Sequence, residues 1–278
     1  MKIVPINISG MLYRWYMYSF FAHPGKSHIG KFLRTFFYNG IFVIEKDSGA
    51  RFCLEINDYL TFEILKHGSY EPRSLMKANA IMKDSDGVFM DVGSNFGLYT
   101  CYLLKKNQNK GIAIDASYKA FGLLLRNLAL NGLNSSVTKV NAALSVKDEL
   151  LHFSPFKSDN LGSSRIVSDD SDSNAFLVNS TTLSNITSNI NPPKIRLIKI
   201  DVEGHEEMVL SGFDFNSKYR PDYILLEYEL ENNPAVHRIK NLLNGKGYEA
   251  FDINDQPYQE GAVLPESNLL FKSTRINS

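Results

Sequence analysis

The sequence predicts a doubly wound α/β fold: a mostly parallel β-sheet with helices on both faces, preceded by a short α/β extension. Three observations carry that prediction. From residue 88 onward, short apolar runs of strand length alternate with longer segments of helical periodicity. The strand runs are apolar on consecutive residues, so both of their faces are buried, as in a parallel sheet covered on two sides. Three of them, Val88–Asp91, Gly111–Asp115 and Ile195–Asp201, end on an aspartate at the carboxyl end, where open α/β sheets bind their ligands.

The elements follow in order. Residues 11–45 are aromatic and basic, and two short helices leading into a strand near Ile41–Glu45 are expected. "DSG" at Asp47–Gly49 is a hairpin turn, with "RFCLEI" as the returning strand. "DYLTFEILKHG" is helical and stops at Gly68. After the strand Val88–Asp91 comes a helix over Leu98–Lys106. The strand Gly111–Asp115 is followed by a helix over Ala116–Asn131, with Ser117 near its N-cap and Gly132 just past its end. Strands follow at Val137–Ala142 and Ile195–Asp201, then a short helix Glu203–Leu210. The strand Tyr223–Glu229, the helix Pro234–Leu243 and the strands Tyr248–Ile253 and Asn268–Lys272 complete the series. Residues 148–193 break the rhythm: long, polar and turn-rich, they are expected to be an insertion between the third and fourth strands. Residues 1–75 are thus an N-terminal cap, and residues 76–278 the main domain.

The 278 residues contain 30 Lys and Arg against 30 Asp and Glu, a balance that argues against a nucleic-acid partner. Two cysteines, Cys53 and Cys101, without a CxxC spacing, give no zinc-ligand pattern and fit a reducing compartment. No signal peptide and no run of about 18 apolar residues is present, so the expected location is cytoplasmic. The aromatic, basic N-terminal segment suits either a cap packing on the core or a peripheral membrane or oligomer contact.

Asp91 and the glycines after it carry the chemistry. In "VFMDVGSNFGLYT", Gly93 and Gly97 let the backbone turn tightly and approach a ligand closely, and the next helix points its N-terminal amides there. Asp115, about 18 residues past Gly97, can accept hydrogen bonds from two ribose hydroxyls. A nucleoside-containing cofactor is implied. The dinucleotide G-x-G-x-x-G pattern is missing, as is the Gly-Lys-Ser/Thr of a phosphate loop. S-adenosyl-L-methionine, which carries no phosphate, remains. Gly93, Ser94, Asn95, Phe96 and Gly97 would then hold its methionine end, Asp115 its ribose, and Asn141 and Ala142 its adenine.

"FMDVGSNFGLYT", "NAALS", "LIKIDVEGHEEMVLSGF" and "RPDYILLEYE" together resemble the FkbM family of S-adenosylmethionine-dependent methyltransferases, over roughly residues 40–272. The block "KIDVEGHE" at Lys199–Glu206 is the most specific part. The resemblance implies the class I methyltransferase (Rossmann-like) fold and O-methyl transfer, commonly to sugar or polyketide-type hydroxyls. "GSYEP" at Gly68–Pro72 matches the family's lead-in to the cofactor loop and implies a cofactor role for Glu71. Two positions depart from the family: Ser94 stands where it has Ala, and Ile114-Asp115-Ala116 where it has Phe-Glu-Pro. Asp115 and Ala116 carry over with that change.

An acceptor hydroxyl needs a base, and "DVEGHEE" at Asp201–Glu207 is the richest polar cluster. His205 is expected to be the base, with Asp201 orienting it or binding the acceptor and Glu203 as the next candidate. The alternative is a divalent cation held by Asp201 and neighbouring acids. Glu207 is read as a surface residue that favours the helix N-terminus. Glu227 either faces the same crevice or is neutralised by an arginine. "LGSS" at Leu161–Ser164 is expected to border the acceptor site. The expected acceptor is a hydroxyl of a carbohydrate, such as a surface glycan or polysaccharide precursor; the alternatives are a small natural product or lipid as acceptor, or a non-catalytic cofactor-binding scaffold in a glycan-assembly complex.

Overall fold

A computed structural model describes residues 3–18, 41–55, 58–155, 162, 164–167, 172–228, 234–259 and 261–277. The N-terminal extension contains β1 (Ile3–Pro5), α1 (Ile8–Tyr18), β2 (Ile41–Glu45), β3 (Arg51–Leu54) and α2 (Tyr59–His67). Its strands form an antiparallel three-stranded sheet in sequence order. Glu45 closes the hairpin turn, its carboxylate accepting the backbone amides of Asp47 at 2.9 Å and Ser48 at 2.6 Å. The second short helix expected before β2 falls on residues 19–40, outside the described residues.

The main unit continues with α3 (Pro72–Met82), β4 (Val88–Val92), α4 (Leu98–Asn107), β5 (Gly111–Asp115), α5 (Tyr118–Asn131), β6 (Val137–Asn141) and β7 (Ala143–Leu144). Then come β8 (Glu149–Ser154), β9 (Arg165–Val167), β10 (Phe176–Thr181), α6 (Leu183–Ile190), β11 (Ile195–Ile200) and α7 (Glu206–Ser211). β12 (Tyr223–Glu227), α8 (Pro234–Gly245), β13 (Tyr248–Phe251) and β14 (Asn268–Ser273) end the chain's regular structure, apart from a 3-10 turn at Thr274–Asn277.

Seven strands order as β13-β14-β12-β11-β4-β5-β6. Every neighbouring pair from β12 to β6 is parallel, and β14 runs antiparallel to both of its neighbours. The chain winds outward from β4 to β6, then returns to lay β11 against β4. That reversal opens a crevice at the carboxyl ends of β4 and β11. Asp91 and Asp201 stand at its two lips.

Apolar residues on both faces of these strands feed two cores. One joins Phe89, Leu103, Leu124 and Leu197 to Ile41, Phe52 and Tyr13 of the extension. The other packs Met90, Ile112, Ile198 and Leu226 against Val209 of α7 and Ile239 of α8. Asn127 fastens the extension to the crevice: its side chain accepts the Cys53 amide at 2.7 Å and donates to the Phe96 carbonyl at 2.9 Å. Cys53 and Cys101 are buried free thiols. Among the described residues, no helix is long and apolar enough to cross a membrane.

Three features go beyond or depart from the sequence reading. The insertion over residues 148–193 carries a sheet of its own. β8, β9 and β10 join β7 in a four-stranded sheet, order β7-β10-β8-β9. Phe153 and Phe176 pack across it with centroids 5.5 Å apart. α3 was unassigned, because its cap is remote: the Glu266 carboxylate accepts the Arg73 and Ser74 amides, each at 2.8 Å. The helix after β11 starts at Glu206 rather than Glu203. Glu203 and Gly204 are left-handed (φ 54° and 93°), and the Glu206 carboxylate closes that turn on the Val202 and Gly204 amides at 3.2 and 3.0 Å.

Candidate active site

The turn after β4 is built to let another backbone in. Gly93 has φ 80°, and a Cβ there would lie 1.7 Å from the Asp201 carbonyl oxygen. Gly97 has φ 86°, and a Cβ there would meet the Leu124 side chain at 2.6 Å. Both positions therefore require glycine. Between them Asn95 also adopts a positive φ, 48°. The turn lines a cavity of about 260 Å³ at the carboxyl ends of β4, β5 and β11.

Most of the residues expected from the sequence meet in this cavity. Asp91, Gly93, Ser94, Asn95, Phe96, Asp115, Ala116, Ala142, Asp201, Glu203 and His205 all line it. Gly97 sits directly behind, as the residue before α4. Two do not reach it. Asn141 donates its side-chain amide to the Asp115 carbonyl at 2.7 Å, fixing the end of β5 from outside. Glu71 lies half-buried at a left-handed φ of 42° and accepts from Tyr99 Oη at 2.7 Å and Asn268 at 3.1 Å, so it props the cavity wall from behind. Gly162 and Ser164 of the expected "LGSS" border the cavity; Leu161 and Ser163 lie outside the described residues.

Asp115 accepts the Asn95 amide at 2.7 Å and the Ser117 amide at 2.8 Å, one on each oxygen. Burial pushes it up to about 7, against the lowering effect of those two amides. Each oxygen keeps a lone pair, the arrangement two ribose hydroxyls need. Ser94 Oγ and Asn95 Oδ1 are buried without any hydrogen-bond partner. Such orphaned groups are costly unless a ligand completes them. Asp91 is pinned by Thr100, whose hydroxyl lies 2.5 Å and amide 3.2 Å from Oδ2. Leu144, Phe153 and Ile166 give the cavity an apolar side. Bare backbone at Gly93, orphaned polar atoms, a paired acceptor and an apolar slot fit a nucleoside joined to an amino-acid tail.

The opposite wall carries a group the sequence reading missed. The Lys199 side chain is only 4% exposed and ion-pairs with Asp201 Oδ2 at 2.5 Å, with its ammonium 4.7 Å from the Tyr99 ring centroid. Its signal was present: in "IRLIKID" a lone lysine interrupts an apolar strand two residues before an acid, on the same face. Burial works against its charge, but Asp201, then Glu71 and Asp91, hold the ammonium protonated well above the usual range. Burial likewise opposes Asp201's charge, yet the Lys199 ammonium and a hydrogen bond from Glu227 keep that carboxyl below its ordinary value. Glu227 faces the cavity and is neutralised by a proton, not by an arginine: burial and the Asp201 charge push it to about 11.

His205 lies apart from this pair. Its Nε2 is 3.3 Å from Ser145 Oγ, and burial lowers its pKa, partly offset by the charge of Glu149. Asp201 is engaged with Lys199 and Glu227 rather than orienting His205. Glu207 sits at the surface in a two-pronged pair with Arg238, with contacts of 2.7–2.9 Å. Oxygens of Asp201, Glu203 and Glu227 lie within 4.8 Å of one another, close enough to share a divalent cation.

A family-model match agrees with this reading. No curated protein is a significant match to the sequence. Solved structures with a similar fold include M. jannaschii TYW2 in complex with AdoMet, at 14% identity over 83% of this chain and 84% of that one, TM-score 0.42. Another is a TehB-like SAM-dependent methyltransferase from Corynebacterium glutamicum, at 12% identity over 77% and 94%, TM-score 0.45. The family model of the methyltransferase FkbM domain matches residues 91–250, from the acid that ends β4 to the middle of β13. The chain belongs to the FkbM methyltransferase family, and it is an enzyme whose cofactor is S-adenosylmethionine.

Proposed function

We propose that the enzyme methylates a hydroxyl oxygen of a carbohydrate. The observation that carries this reading is an imidazole, His205, in the same cavity as the cofactor turn and a row of carboxyl groups, where burial disfavours its charged form. Bound S-adenosylmethionine supplies an electrophilic methyl group. An alcohol is a weak nucleophile, and a positioned base contributes about 10²–10⁴-fold. Three groups compete for that role. Asp201 is ionised but held low by Lys199, so it is a poor proton acceptor. Glu227 already carries its proton. His205 is neutral at physiological pH, because burial disfavours its charged form. With Nε2–H donated to Ser145 Oγ, Nδ1 takes the hydroxyl proton as the new C–O bond forms, and Glu149 favours the resulting imidazolium.

A sugar offers adjacent hydroxyls that both donate and accept. Asp201 and Glu203 supply acceptors, and Ser164 and Arg165 complete a polar rim. A second reading rests on the three clustered acids: a divalent cation there would lower the pKa of the acceptor hydroxyl in place of His205. Mass spectrometry of glycans from cells with the intact protein and with an Asp115→Ala variant tests the acceptor class. A methyl ether present only with the intact protein supports it. Unchanged glycans alongside turnover on a non-carbohydrate alcohol contradict it.

A further inference from the structure

α1 is docked the wrong way round for an ordinary surface helix. Tyr13 is 1% exposed, and Gly10 faces β2 so closely that a Cβ there would lie 2.7 Å from Ile41. On the opposite side Ile8, Met11, Leu12 and Trp15 are 76, 52, 51 and 71% exposed. Their spacing of i, i+3, i+4 and i+7 makes one continuous apolar stripe, and Ile6 extends it before the helix begins. A contiguous exposed stripe of this kind, carrying the chain's only tryptophan, marks an interaction surface.

We infer that this stripe docks the enzyme on an anionic lipid surface. Charge selects the occupant. The first 44 residues hold five basic side chains, Lys2, Arg14, Lys26, Lys31 and Arg34, and no acid at all. The whole chain is neutral, so basic charge is concentrated in the stretch of sequence that carries the apolar stripe. Lys66, exposed in the last turn of α2, adds a cation on the helix that packs against α1. Tryptophan beside arginine is the pairing that settles at headgroup depth. With no spanning helix among the described residues, the protein would lie on the bilayer rather than cross it. A second copy of the chain is a poorer occupant. An 11-residue helix is about 16 Å long, and its single stripe falls well short of the roughly 800 Å² per partner of a stable interface. The cavity is close by, since α2 carries Tyr59 and Leu60 of its lining. The inference holds whatever the methyl acceptor is.

Flotation of the full chain with lipid vesicles tests it. Binding is expected to phosphatidylcholine vesicles containing phosphatidylglycerol and to fall roughly tenfold with phosphatidylcholine alone or at 1 M salt. Leu12→Glu and Trp15→Ala should each weaken vesicle binding roughly tenfold. Both sites are solvent-exposed, so S-adenosylmethionine affinity should stay unchanged and report an intact fold. The inference is overturned if wild-type protein ignores anionic vesicles, or if both variants float as well as wild type. It is equally overturned if sedimentation velocity shows a dimer that Leu12→Glu splits while vesicles bind neither form.

Discussion

Lys199 and Asp201 face the same side of the fourth parallel strand and meet at 2.5 Å beneath the Tyr99 ring. This pair, with the lysine buried and the aspartate partly so, sets the protonation of its neighbours. It keeps Asp201 ionised, and the Asp201 charge in turn keeps a proton on Glu227. Removing one member should therefore do more than delete a contact. Lys199→Met would leave the partly buried carboxylate without its cation and should cost about 2–3 kcal/mol in urea denaturation at pH 8. The double variant Lys199→Met, Asp201→Asn should cost less than the sum of the two singles. Strict additivity would show that the pair is uncoupled.

Asp115 makes cofactor binding depend on pH. Burial holds its carboxyl at about 7 in the free protein, and only the ionised form accepts from both ribose hydroxyls. Below 7, binding must first remove a proton, so affinity should weaken about tenfold per pH unit; above 7 it should level off. Stability has the opposite sign. A carboxyl raised above its ordinary 3.8 stabilises the fold fully below that value and loses the contribution as pH rises through about 7. Titration calorimetry between pH 5.5 and 8.5 reads the first effect, and Asp115→Asn should flatten the profile. A flat profile in the wild-type protein contradicts the assignment.

Glu227 separates the two mechanisms. Protonated up to about pH 11, it resembles a glutamine in hydrogen bonding, so Glu227→Gln should keep turnover within about fivefold. A cation bound by Asp201, Glu203 and Glu227 would need the carboxylate, and the same substitution would then abolish turnover. Chelator treatment should leave wild-type turnover unchanged if His205 is the base. Loss with chelator and recovery with magnesium would establish the cation.

His205 should govern the acid limb of the rate profile. Burial lowers its pKa, so the neutral imidazole persists below the ordinary 6.5 and kcat should decline only at more acidic pH. His205→Ala should reduce kcat at least about a hundredfold with S-adenosylmethionine affinity unchanged. Full turnover in that variant would reduce His205 to a residue that starts α7.

The fold was legible wherever the decisive interactions are local. Apolar runs ending on Asp91, Asp115 and Asp201 marked the parallel strands and their ligand ends, and Ser117 and Gly132 bounded α5, each making the cap its residue type favours. What escaped depends on distant partners. α3 is capped by Glu266, nearly two hundred residues away, so Pro72 at its first position was its one local start signal and no side chain beside it caps the helix. The small sheet is stapled by aromatic contacts between Phe153 and Phe176, with a polar turn region separating them in sequence. Within the site, residue types pointed to a base and a carboxylate but not to their pairing. Asp201 seemed the natural orienter of His205 four residues on. The left-handed turn at Glu203 and Gly204 instead carries His205 toward Ser145, leaving Asp201 to the lysine of its own strand. Glu71 was read as a cofactor contact from the family's lead-in and Asn141 from the end of the third strand; in the structure Glu71 accepts from Tyr99 and Asn268, and the Asn141 side-chain amide donates to the Asp115 carbonyl.

The central claim is that the turn from Gly93 to Gly97 and Asp115 hold S-adenosylmethionine, and direct titration tests it without knowledge of the acceptor. Calorimetry at pH 8 should show one equivalent of S-adenosylmethionine, or of S-adenosylhomocysteine, binding the wild-type chain, and no heat from NAD. Gly93→Ala should abolish the binding, because its Cβ would lie 1.7 Å from the Asp201 carbonyl oxygen and the turn would have to move. Failure of the folded wild-type protein to bind either sulfur nucleoside, or undiminished binding by a folded Gly93→Ala variant, would contradict the account.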